Sequence, residues 1–134
     1  MFKTLLIWLF ILIFTAGCTG SEHSPEKLRD LYPGNLMQVD EIHITIGATG
    51  EKKMYRDPKQ IQEWLKSVQD IEFTRSPDQS KKDGFLYAVT LLEGNTAKMS
   101  FTTNSVGDTY YVTDAKLVDA IKEIVDKGVS IPAP

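Results

Sequence analysis

The chain has 134 residues, 42% of them hydrophobic and 25% charged, with a formal charge of −3 at pH 7. That is one ordinary domain's worth of polypeptide, long enough to bury its own core. Its mildly acidic balance argues against a nucleic-acid partner and against a polybasic grip on anionic lipid. The lone cysteine, Cys18, excludes any intrachain disulfide.

The first element is apolar. Lys3 precedes an uninterrupted block, Leu5–Phe14 (LLIWLFILIF), and the small residues Thr15, Ala16 and Gly17 lead to Cys18. A spanning helix needs about 20 apolar residues, so a block this short fits the h-region of a secretory signal. The run Phe14-Thr15-Ala16-Gly17-Cys18 resembles the lipobox of bacterial lipoproteins, with Thr15 where that family has a larger aliphatic residue. The resemblance implies that residues 1–17 are a signal peptide, cut just before Cys18. It also implies an S-diacylglyceryl group on Cys18, with or without N-acylation (palmitate or a similar acyl chain). Two acyl chains anchor stably where one binds only reversibly. The expected location is therefore the extracytoplasmic face of a cell membrane, the lipid serving as the contact with the bilayer. Removing 1–17 takes away Lys3 and no acid, so the charge moves from −3 to −4.

Residues 18–35 carry few large apolar side chains and read as the lipidated cysteine plus a polar tether. Seventeen flexible residues would average roughly 20–25 Å end to end. A short helix is expected to interrupt it, with Ser24 as cap, Pro25 at the first position, and Leu28, Leu31 and Tyr32 on one face. Pro33-Gly34 would end that helix.

A single folded domain is expected over residues 36–130. In "VDEIHITIG" the residues Ile42, Ile44 and Ile46 alternate with His43 and Thr45, the period of a half-buried strand. Gly47–Gly50 reads as a turn, and "KKMYR" as a short returning strand. Asp57 and Pro58 start a helix whose stripe is Ile61, Trp64, Leu65 and Val68. Next come a short strand, "IEFTRS", and a polar loop, "SPDQSKKDG". "FLYAVTLLE" is apolar on both faces, which predicts a central strand with part of each face covered. "EGNT" turns the chain into "AKMSFTT", and "NSVGD" turns it into "TYYVT". Asp114 caps a last helix with the stripe Leu117, Val118, Ile121, Ile124 and Val125; Gly128 stands where a C-cap belongs, and "VSIPAP" is a tail. The order predicts a two-layer α+β domain: an antiparallel meander sheet of about four to six strands with two amphipathic helices.

Candidate chemistry is sparse. His23 lies in the tether, and His43 points away from the isoleucines at an exposed or edge position. Metal sites need three or four convergent ligands, and no such spacing is present, so neither a metal nor another cofactor is expected. No nucleophile motif or phosphate-binding glycine loop stands out, and the acids Asp57 and Asp114 already serve as caps. The expectation is a protein that is not an enzyme. A binding face, if built from aromatic residues, would include Tyr87, Tyr110 or Tyr111, with Lys98 and Thr102 beside them.

The series "VDEIHIT", "DPKQIQEWLKSVQ", "DGFLYAVTLLEGNTAKMSFTT" and "YYVTD", set behind the lipobox, resembles the small YhfM-like lipoproteins of Bacillus and relatives. That resemblance implies attachment to the outer leaflet of a Gram-positive plasma membrane and carries no known activity. Two functions fit. The first is a lipid-anchored binding or interaction module. The second is a small proteinaceous inhibitor or accessory factor of a cell-envelope enzyme, with an envelope protein as partner.

Overall fold

The computed structural model describes residues 23–127 and the backbone of 129–131. The signal segment, Cys18 and the Gly128 cap lie outside the described residues.

The hydrophobic periodicities become elements as follows. Strand β1 is Glu26–Lys27, the one-turn helix α1 is Leu28–Leu31, and a 3-10 turn covers Leu36–Gln38. Strands β2 (Glu41–Ile46) and β3 (Lys52–Tyr55) form a hairpin. Helix α2 (Pro58–Val68) leads to β4 (Glu72–Arg75). The meander β5 (Tyr87–Glu93), β6 (Thr96–Thr102), β7 (Ser105–Val106) and β8 (Thr109–Thr113) follows, and then helix α3 (Ala115–Lys127) and β9 (Val129–Ile131). All pairings are antiparallel, and the strands lie in the order β1-β4-β8-β7-β6-β5-β2-β3-β9. Helix α2 carries the chain from the β3 end of the sheet to the β4 end, and α3 brings it back.

Both long helices bury their stripes on one face of the sheet. Asp57 accepts from the Lys59 N–H (3.1 Å) to cap α2, and Asp114 accepts from the Lys116 N–H (2.9 Å) at the start of α3. Ile61, Leu65 and Val68 of α2 and Leu117 and Ile121 of α3 join Ile42, Ile44, Val89, Leu91, Phe73 and Phe101 in one core. Trp64 ties the helices together, its Nε1–H donating to the Ala120 carbonyl (2.9 Å). Lys53 reaches from β3 to the last turn of α3, donating to the Val125 carbonyl (2.7 Å). The two-layer α+β architecture is as expected.

Among the described residues the sheet has nine strands rather than four to six, because β1, β7 and β9 are too short for an alternation to show. The "VSIPAP" segment is not simply a tail, since β9 pairs with β3 along Val129–Ile131. The folded part also begins earlier than expected. Leu28 and Tyr32 are buried in the core, and Glu26 and Lys27 pair with Phe73 and Glu72, so the folded domain begins at Glu26 instead of residue 36. Polar residues between Leu28 and Leu36 hid these apolar anchors. The short helix starts at Leu28, with Lys27 and not Ser24 before it. Just ahead of the edge strand β1, Pro25 has no N–H to offer a further strand.

Strand β5 is central, but only one of its faces is covered along its length. Its ladder begins at Tyr87, leaving Phe85 and Leu86 exposed. Their backbone is gripped instead by Gly47, whose N–H donates to the Leu86 carbonyl (2.8 Å). A Cβ on Gly47 would lie 1.8 Å from the Phe85 carbonyl oxygen, so only glycine allows this approach.

Candidate functional site

Among the described residues, nothing covers the face of the sheet opposite the helices along β2, β3, β5 and β6. Strand alternation puts the isoleucines of β2 inward and Glu41, His43 and Thr45 outward. Register then assembles rows. Met54, His43, Thr90 and Ser100 stand side by side, and Lys52, Thr45, Ala88 and Thr102 form the next row. Thr90 and Ser100 share a hydroxyl hydrogen bond (3.0 Å), and Thr102 is bonded to Ser105 (2.7 Å). Most of these side chains are half-buried by their neighbours and open to solvent above.

At one end of this face lies Glu41, the one charged residue among the described residues that is buried, at 9% exposure. His43 donates from Nε2 to Glu41 Oε1. Arg56, which the hairpin register brings opposite Glu41, donates from Nε to Oε2 (3.2 Å) and from a terminal nitrogen to Oε1 (3.4 Å). Burial by itself would push the Glu41 carboxyl up. The hydrogen bonds from His43 and Arg56, with their charges, outweigh it and hold the carboxyl below its ordinary value. Because the ionised carboxylate only accepts, it fixes a proton on His43 Nε2. Nδ1 is therefore the atom that His43 offers outward, an acceptor in the neutral ring and a donor in the protonated one. The Arg56 side chain stays 67% exposed, so its guanidinium serves Glu41 while still facing water.

The three tyrosines do not make one face. Tyr87 and Tyr111 pack against the core on the helix side, Tyr111 edge-on to Phe73 (5.8 Å between centroids). Burial, then Glu26, pushes the Tyr111 hydroxyl up, and Arg75 works against both. Tyr110 points the other way and fastens the 76–84 loop. Its hydroxyl accepts from the Lys82 N–H (2.9 Å), Lys82 Nζ lies 4.9 Å from the ring centre, and the Gln79 side chain clasps the Tyr110 N–H and carbonyl (3.0 and 2.9 Å). Within that loop Asp78 accepts from the Ser80 hydroxyl and N–H and from Lys82, which holds its carboxyl well below the carboxylate range. Lys98 pairs with Glu93 (3.7 Å), and Thr102 joins the hydroxyl rows. His43 is not at an edge, since β2 lies between β3 and β5. His23 stands at the β1 end, in a groove with Arg75 and Tyr111.

The Glu41–His43–Arg56 group was missed as a unit. Its signal was present: two polar residues two apart on one strand share a face, and the Ile42–Tyr55 register of the hairpin places Arg56 across from Glu41. Among the described residues no group of three or more His, Cys, Asp or Glu side chains converges as a metal site, and no helix is long and apolar enough to cross a membrane. No family model, curated protein or solved structure matches the chain.

Proposed function

We propose that this chain is a lipid-anchored extracytoplasmic binding module, held to the outer surface of a membrane through Cys18 and meeting its partner with the uncovered face of β2, β3, β5 and β6. The observation that carries the binding half is that face. Rows of hydroxyls end at an ionised carboxylate that orients an imidazole and a guanidinium toward solvent. The anchoring half rests on the lipobox resemblance and on the wider likeness to YhfM-like lipoproteins.

Binding fits this surface better than catalysis. The described grooves of about 520 and 430 Å³ lie beside β4 and β8 and include neither His43 nor Glu41. A general base works in a walled, water-poor cleft, whereas His43 stands on an open sheet.

A photo-crosslinking residue at Thr90, in mid-face, tests the binding half on intact cells. A discrete adduct from Thr90 with none from the same residue at Asp119, exposed on α3, is the expected result. Equal labelling from both positions would end the proposal. The anchoring half is tested by the intact mass of the membrane-extracted protein. Wild type is expected to begin at Cys18 with added acyl mass and to enter the detergent phase, and Cys18→Ser is expected to do neither.

A further inference from the structure

The described structure changes the length of the leash. Because β1 is already paired to β4 at Glu26 and Lys27, seven residues (19–25) separate Cys18 from the sheet. Fully extended they reach at most about 25 Å. Nine strands spaced about 4.8 Å apart make the sheet roughly 38 Å across. A domain wider than its leash, and held by one edge, cannot present its far edge to the surface that holds it.

The near edge is furnished for contact. A groove of about 430 Å³ lies where the chain enters the fold, lined by His23, Ser24, Pro25, Glu26, Arg75 and Tyr111. Arg75 is exposed, and its guanidinium makes no ion pair or hydrogen bond with a described side chain. Nearby, Lys27 and Arg29 share one carboxylate, Asp70 (3.7 and 3.1 Å). Tyr111 adds a ring that is half-buried, of the amphipathic kind that settles at headgroup depth. The acids Glu26, Asp70 and Glu72 balance Lys27, Arg29 and Arg75 in number, so the edge has no long-range pull toward anionic membranes. What it offers is a free guanidinium for a phosphate, the group common to phospholipid headgroups.

We propose that the β1–β4 edge, with the groove between Arg75 and Tyr111, is the surface on which the anchored domain rests against phospholipid headgroups. This rests on the reading of Cys18 as the anchor, and it fixes the orientation: β1 faces the bilayer, and β3 with the Glu41–His43–Arg56 group stands at the far side.

The test imposes the anchor chemically, so its outcome does not depend on acylation in the cell. Among the described residues the core runs from Leu28 to Val125, and the chain 18–134 includes all of it. It is coupled through Cys18, its single thiol, to a maleimide lipid in phosphatidylcholine vesicles. Arginine- and lysine-directed labelling is then read by mass spectrometry against the same chain capped with a small maleimide in solution. Arg75 and Lys27 are expected to lose at least threefold in reactivity on vesicles, with Lys52 and Arg56 unchanged. Inserting twenty Gly/Ser residues after Ser21 is expected to restore solution reactivity, and Arg75→Gln to reduce the protection of Lys27 by about half. Undiminished labelling of Arg75 on vesicles, or protection of Lys52 in its place, would overturn the proposal. Native protein lacking acyl mass would refute the anchor while leaving the vesicle result intact.

Discussion

Glu41 shows how a single residue couples the sheet to pH. Its carboxyl is buried, yet two donors keep it ionised, so its proton affinity is lower in the folded chain than in the unfolded one. By linkage, a carboxyl with a depressed folded value contributes stability that is fully present above its unfolded value. That contribution is lost as pH falls through the folded value. Acid unfolding followed by circular dichroism is expected to show Glu41→Gln destabilised by about 1–2 kcal/mol at neutral pH, the range for a lost charge-assisted hydrogen bond whose partner is largely in water. The difference from wild type is expected to shrink as pH falls below the carboxylate range. An unchanged difference across that range would show that Glu41 is not ionised in the fold. The helix side carries the opposite case: burial, with Asp126 and Glu51 adding to it, pushes the Tyr55 hydroxyl up to about 12, and that hydroxyl has no hydrogen-bond partner among the described residues.

At the scale of elements, the decisive piece is the segment from Glu26 to Leu36. Leu28 is fully buried, its N–H donates to the Ile71 carbonyl (3.1 Å), and the Arg29 N–H donates to the Gln69 carbonyl (3.1 Å). Truncating a buried leucine costs about 2–5 kcal/mol. Leu28→Ala is therefore expected to lower the unfolding free energy, measured by denaturant titration, by that amount, whereas Ser24→Ala, at an exposed position ahead of β1, is expected to leave it unchanged. Equal, small effects at both would return this segment to the leader. The long helices and strands were legible because each repeats its apolar period several times, as in Ile61-Trp64-Leu65-Val68. Two-residue strands such as Ser105–Val106 repeat nothing, and they exist only because neighbours supply the ladder. The candidate site was legible in part. The facing of Glu41 and His43 follows from strand period alone, but their closure with Arg56 required the hairpin register. The tyrosines misled because a strand's period says which residues share a face and not which face the helices will cover.

For the whole molecule, the crossing of α2 and the return of α3 put the first and last strands at opposite edges of one sheet. Glu26, where the described chain enters the sheet, and the polar rows therefore occupy different ends of it.

Pro25 has a consequence that reaches past the single molecule. Bare strand margins in a crowd of copies zip together into fibres. Pro25, next to the edge strand β1, has no N–H to give an incoming chain its first rung.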